Sequence, residues 1–384
     1  MKNFSFHNPT RIVFGEQQIS ELPQLIPEGA RILVTYGGGS IHHNGVYQQV
    51  ADALTSTVWL EFGGIEPNPS FDTLLKAVDF LQKEQLDYIL AVGGGSVIDG
   101  SKFIAAAACY EGDSWDLLTG KAKVQQALPL GCVLTLPATG SESNGNSVVT
   151  RYSTQEKIAF SSPLVYPQFA VLDPTVTYSL PPRQVANGVV DAFVHVMEQY
   201  LTYPVGAAVQ DRFAEGLLLT LLDEGPKALQ QPEDYTVRAN VMWSATMALN
   251  GLIGVGVPQD WATHMIGHEL TALHGLDHAQ TLAIVLPALM QQQRLQKHDK
   301  LLQYGRRVWQ LQHQDEERII DEAISHTRAF FEQMGVPTRL ADYGIQPDAI
   351  EAIIERLVQH KMLKLGEHGD ITPEVASEIL NKAL

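Results

Sequence analysis

Four histidines, His264, His268, His274 and His278, fall inside fifteen residues of the segment DWATHMIGHELTALHGLDHAQ. Thirteen histidines spread evenly over 384 residues would put about half of one in such a window. His264 and His268 stand four apart, so a helix carries both on one face. Gly275 and Asp277 read as a helix stop and a new helix start, a turn that could fold His278 back towards His264. A second pair, Asp191 and His195 in NGVVDAFVHVMEQY, has the same spacing. Two helices that each present paired donors can surround a divalent cation. One carboxylate with three imidazoles suits Zn²⁺ or Fe²⁺ better than Mg²⁺ or Ca²⁺. Any one of these histidines alone would pass for a surface or core residue; the grouping is what points to a metal. The protease pattern H-E-x-x-H is missing, because Ala272 stands where its second histidine would be.

The tetrapeptide Gly-Gly-Gly-Ser occurs twice, at residues 37–40 and 93–96, each time after an apolar run. In LDYILAVGGGSVIDGSKFIAAAAC the order is strand, glycine turn, helix. Consecutive glycines let the backbone approach a ligand closely, and a helix start offers unpaired N–H groups to an anion. Neither familiar phosphate pattern is met. Ile98 replaces the last glycine of G-x-G-x-x-G, and Gly100 is followed by Ser101-Lys102 rather than Lys-Ser.

The elements that must position these residues divide the chain in two. Up to about residue 174, short β-like runs (TRIVFG, RILVTYG, STVWLEF, LDYILAV, CVLTLP, FAVLD) alternate with helical patterns. That alternation predicts an α/β nucleotide-binding domain with a mainly parallel, doubly wound sheet. The stretch FSFHNPTRIVFG reads as an antiparallel hairpin or an edge element. After Pro181-Pro182 the periodicity is helical to the end, which predicts an all-helical second domain. The boundary falls around residues 174–182, giving an α/β domain over 1–177 and a helical metal-binding and catalytic domain over 178–384.

Composition is that of an ordinary globular protein, 45% hydrophobic and 18% charged. A formal charge of −17 disfavours nucleic acid and anionic membrane as partners. The longest apolar runs are too short to span a bilayer, and the N-terminus lacks a signal peptide's apolar core. A cytoplasmic protein is expected. Cys109 and Cys132 are too few for a disulfide framework or a four-cysteine zinc site, and both are expected to be buried packing residues.

With the glycine loop, LPATGSES, DAFVH and HMIGHEL…LDHAQTLAIVLP in one order, the chain resembles the iron-dependent (group III) alcohol dehydrogenases over nearly its whole length. It is most similar to their branch of NADPH-dependent aldehyde reductases and butanol dehydrogenases. The resemblance implies a dehydroquinate synthase-like fold with the active site between two domains, and a homodimer. It implies Asp191, His195, His264 and His278 as metal ligands and His268 as a catalytic residue near the nicotinamide; His274 has no assigned role. It implies Gly93, Gly94, Gly95, Ser96 and Asp99 as the pyrophosphate loop, with Asp99 reaching towards the nicotinamide end and, like His268, expected to be catalytic. Thr135, Thr139, Ser141, Glu142 and Asn144 match a second nucleotide loop, and Lys157 matches a lysine near the cofactor.

NAD-preferring relatives carry an aspartate where this chain has Gly37, Gly38, Gly39 and Ser40. Without that carboxylate nothing repels a 2′-phosphate, and glycine N–H groups with a serine hydroxyl can form an anion nest. His42 and His43 could add partial positive charge. NADP(H) is therefore expected over NAD(H), with one divalent metal, Zn²⁺ or Fe²⁺, as Lewis acid. No Arg or Lys occurs from Val241 to Gln291, while Leu252, Ile253 and Trp261 lie close to the histidines in sequence. A short, neutral aldehyde or alcohol is the expected substrate, reduced or oxidised by reversible hydride transfer. The alternatives are a metal-dependent hydrolase, which leaves both glycine loops unexplained, and an NAD-using dehydroquinate synthase-like lyase, which would want a basic pocket. A non-catalytic NADP-binding sensor is a third.

Overall fold

The computed structural model describes residues 1–384, which form two compact units. The sheet unit comprises His7–Leu180 and Glu233–Thr246; the helical unit comprises Met1–Phe6, Pro181–Pro232 and Met247–Leu384. No helix is long and apolar enough to cross a membrane.

The sheet unit contains β1 (Arg11–Phe14), β2 (Arg31–Tyr36), β3 (Val58–Phe62), β4 (Tyr88–Gly94), β5 (Leu130–Leu136), β6 (Asn146–Arg151), β7 (Glu156–Ser161) and β8 (Phe169–Leu172). Six of them form one sheet in the order β1-β8-β5-β4-β2-β3, and every pairing is parallel. Side chains alternate between two apolar layers, as a sheet covered on both faces requires. Ile89 and Ala91 of β4 pack with Phe71, Leu74 and Ile104, whereas Leu90 and Val92 pack with Val46 and Val50.

The chain moves one way across the sheet from β2 to β3 and the other way from β4 to β5. The order therefore reverses between β2 and β4, the place where open α/β sheets bind ligands beyond their strand ends. Helix α1 (Gly95–Ala107) leaves β4 directly at this point.

Two local expectations change. β1 is an edge strand, but it pairs in parallel with β8 and no strand precedes it, so the N-terminal hairpin does not form. An antiparallel hairpin does form between β6 and β7, from the alternating stretch NSVVTRYSTQEKIAFS. Cys132 is buried as expected, whereas Cys109 is only half-buried.

In the helical unit, α2 (Pro182–Tyr200) begins at a proline in its first turn and is buried along almost its whole length. Proline suits that position because its missing N–H has no partner there to lose. Helix α3 (Tyr235–Ala248) gives its first twelve residues to the sheet unit. Helix α4 (Ala262–His274) stops at Gly275, whose φ of +69° ends the turn in a conformation glycine adopts without strain. Helix α5 (His278–Gln292) starts from a capping box in which Asp277 and Gln280 exchange hydrogen bonds with each other's backbone. Its buried residues Ile284, Val285 and Leu289 join Ile266 and Leu270 of α4 in one core.

Candidate functional site

The i, i+4 spacing on α2 puts Asp191 and His195 on one face, with a carboxylate oxygen 3.5 Å from His195 Nδ1. Helix α4 brings His264, whose Nε2 lies 3.0 Å from His195 Nε2. The stop at Gly275 and the new start at Asp277 return His278 to the group, 3.8 Å from the Asp191 carboxylate. One donor atom from each of Asp191, His195, His264 and His278 lies within 4.8 Å of the others. Asp191, His195 and His264 are 3–5% exposed, whereas the His278 side chain is 23% exposed.

These residues fit a divalent cation. Burial, reinforced by His264, pushes the His195 pKa well below its usual value, so its ring is neutral and carries a lone pair. A buried carboxylate beside a neutral imidazole offers the oxygen and nitrogen donors that Zn²⁺ or Fe²⁺ takes. Metal–nitrogen bonds of about 2.0–2.1 Å at a tetrahedral angle put two ring nitrogens about 3.3 Å apart. The observed separation lies within a few tenths of an ångström of that.

Glu198 completes the cluster and was not foreseen from the sequence. Its carboxylate bonds His264 Nδ1 and accepts from the His264 backbone N–H at 3.3 Å. A histidine held at Nδ1 turns its Nε2 lone pair inward, the usual support for a metal-binding imidazole. Burial, with Asp260 nearby, pushes the Glu198 carboxyl well above the usual carboxylate range, opposed by the N–H groups of His264 and Thr263. The available signal was position: Glu198 follows His195 by three and Asp191 by seven, on the same face of α2.

His268 is buried, with its ring 5.4 Å from that of His278 and 6.3 Å from that of His264. Trp261 packs edge-on to His264 at 5.3 Å, and its indole N–H donates to Gln259 at 3.0 Å. His274 lies at the half-buried end of α4, and burial lowers its pKa. Glu269 is turned away, its oxygens 2.6 Å from Arg356 Nε and 2.6 Å from His360 Nδ1.

The three glycine-rich or polar loops singled out above lie side by side at the carboxyl ends of β2, β4 and β5. Residues 93–96 join β4 to α1, and a Cβ on Gly95 would stand 2.3 Å from Thr139 Oγ1. Only glycine allows that approach. Asp99 accepts from Ser141 Oγ at 2.5 Å and from the Val148 N–H at 3.1 Å. Its pKa is raised by burial, against the pull of Lys102, Ser141, Val148 and Lys157. Lys157 donates to Asn68 at 2.8 Å, and Thr135 stands near the end of β5. Residues 37–40 end β2; Gly38 and Ser40 are exposed, and Gly39 has φ +93°. His42 packs between the rings of Tyr36 and Tyr47, at 5.0 and 4.2 Å, while His43 is exposed.

Lys102 is a second residue whose role the sequence does not announce. Fully buried, it donates to Ser141 Oγ (2.9 Å), Asn144 Oδ1 (3.0 Å) and the Asn146 carbonyl (2.7 Å). It thus ties α1 to the loop after β5. Glu142, also buried, accepts from Thr246 at 2.5 Å.

Comparison with known proteins matches residues 9–174 to the iron-containing alcohol dehydrogenases and residues 185–384 to the C-terminal part of the same family. The chain is 60% identical to the NADPH-dependent aldehyde reductase YqhD of Escherichia coli K12, over the full length of both. It is 40% identical to a probable NADH-dependent butanol dehydrogenase of Bacillus subtilis, again over both whole chains. Among solved structures, the NADH-dependent butanol dehydrogenase A of Thermotoga maritima superposes with a TM-score of 0.96 at 38% identity, covering 100% of this chain and 99% of that one.

Proposed function

The chain belongs to the iron-containing alcohol dehydrogenase family, and on that premise we propose that it is a metal-dependent aldehyde reductase that uses NADPH. The observation that carries this reading is the meeting of four donor atoms, from Asp191, His195, His264 and His278, within 4.8 Å. Those residues would hold the divalent cation, and Zn²⁺ and Fe²⁺ both suit the donor set. When bound, the cation supplies Lewis acidity towards a carbonyl oxygen, while NADPH supplies the hydride.

The protein's own side chains do the rest. Glu198 orients His264 through its Nδ1. His268, buried beside His264 and His278, is a member of the relay that brings a proton to the nascent alcohol. Trp261 gives the site an apolar wall, and the absence of Arg and Lys from Val241 to Gln291 disfavours carboxylated or phosphorylated substrates. Small neutral aldehydes, such as butanal, fit that wall.

For the nucleotide, residues 93–96 and the start of α1 offer backbone N–H groups to the pyrophosphate, beside Thr139, Ser141 and Asn144. Asp99 and Lys102 hold the second of these loops against α1. The exposed Gly37–Ser40 tip, without a carboxylate, takes the 2′-phosphate. Glu269, paired with Arg356 and His360, is engaged elsewhere and does not serve as the base of a hydrolase.

A homodimer fits the exposed Phe14 and Trp243, packed edge to face at 6.0 Å beside the open edge of β1. A reducing, cytoplasmic setting fits two thiols that are not joined. The test is NADPH oxidation with butanal, with and without a strong chelator. Turnover that chelation leaves intact would refute the metal reading, and absence of turnover the enzymatic one.

A further inference from the structure

A buried cation behind the cluster takes no part in the chemistry described so far. Lys297 and its partners Asp260 and Glu367 have side chains only 2, 4 and 3% exposed. The ammonium lies 2.9 Å from Asp260 Oδ2 and 2.7 Å from both oxygens of Glu367. It also donates to the carbonyl of Leu201, the residue that caps the C-terminus of α2, at 2.8 Å. Asp260 in turn accepts from the backbone N–H of Ala262, the first residue of α4, at 2.8 Å. Its own backbone N–H donates to the carbonyl of Glu198 at 2.8 Å.

One lysine and one aspartate therefore join the end of α2 to the start of α4. Those are the helices that carry His195 and His264. Stability alone does not account for such a cluster, since replacing a buried ion group by apolar side chains is often neutral or stabilising. Burial works to lower the Lys297 pKa, but Asp260 and Glu367 outweigh it and keep the ammonium charged. Its ammonium is shared between the two carboxylates.

We propose that Lys297 is a positioning residue for the metal centre: with Asp260, it fixes the end of α2 against the start of α4 and so sets the separation of His195 from His264. The inference rests on the metal reading of the cluster. Loss of supporting groups around a metal-binding histidine costs about 10–100-fold in affinity.

The experiment follows release of Zn²⁺ from the loaded, full-length protein into a chromogenic chelator. Lys297→Met and the isosteric Asp260→Asn should each release the ion about 10–100-fold faster than the parent. Arg328→Met is the control. It removes a half-buried cation of the same unit whose guanidinium donates to Thr338 at 2.9 Å, and it should change release by less than about twofold, as distant sites act independently. Should Lys297→Met fail to fold, Asp260→Asn carries the test. Release at the parental rate from a folded variant, or equal acceleration by Arg328→Met, overturns the positioning role. A parent protein that retains no cation overturns the metal reading as well, so the two failures are distinct.

Discussion

The Nε2 atoms of His195 and His264 lie 3.0 Å apart, with their ring planes inclined by 27°. The two rings come from helices separated by sixty-one residues of chain, and Glu198 grips the far nitrogen of one of them. Replacing Glu198 by Gln keeps the shape but exchanges one of the carboxyl oxygens that hold His264 for an amide nitrogen. Metal affinity should fall about 10–100-fold, read by titration against a competing chelator. An unaltered affinity would remove Glu198 from the functional account.

Substituting His268 by Asn tests the proton relay. A positioned acid or base typically contributes about 10²–10⁴-fold, so kcat should drop by at least about 10²-fold. Metal content and the KM for NADPH should stay where they are. A shift in metal content instead would make His268 a ligand.

Gly38 has no neighbour within 4 Å of a built Cβ and needs no positive φ, so an aspartate fits there without strain. Gly38→Asp should lower kcat/KM with NADPH at least about tenfold, roughly 1.4 kcal/mol, while NADH improves. Cofactor preference that survives the change would place the 2′-phosphate elsewhere.

Trp261 lies 5.3 Å from the His264 ring and 6.2 Å from that of His195. Truncation to Ala should raise the KM for butanal about tenfold, in line with the 1–3 kcal/mol that small apolar contacts contribute to selectivity. The KM for NADPH is the internal control. An effect on NADPH alone would assign the indole to the nucleotide rather than the aldehyde.

Lys102 gives a pH dependence with a defined sign. Burial lowers its pKa from 10.5 to about 8, against the pull of Asp99. Between those two values the unfolded chain holds more protons than the folded one, so stability rises with pH across that window. Lys102→Met removes this contribution. The stability of the parent relative to the variant should therefore grow from pH 8 to pH 10, by at most about 1.4 kcal/mol per pH unit. A flat or falling difference in denaturant midpoints would show that the lysine is not buried as a cation.

Local spacing made much of the site legible. Asp191 with His195 and His264 with His268 are periodic pairs, and Gly275 with Asp277 marks a reversal that a sequence can announce. What escaped was whatever depends on a partner distant in the chain. Glu198 looks like any helical glutamate until His264 is placed against it. Lys102, in GSKFIAAAAC, gives no sign that three oxygens await it 39 to 44 residues later. The β6–β7 hairpin does carry the period-2 alternation of a strand pair, but it sits among stronger parallel-strand signals. Nothing in YTVRANVMWSAT states which unit this helical stretch will pack with, because a helix's own periodicity does not name the surface that covers it.

Asp277 caps α5 one residue before His278, and the same carboxylate receives Arg183 Nε and Asn187 Nδ2, both at 2.8 Å, from the opening turns of α2. Helix α2 thus supplies two of the four donor side chains at its middle, clasps the third through Glu198, and indexes the fourth through Asp277. A protein engineer wishing to graft this centre onto another bundle would have to carry that helix whole, from Arg183 to Glu198. Four donor side chains copied alone would arrive without their jig.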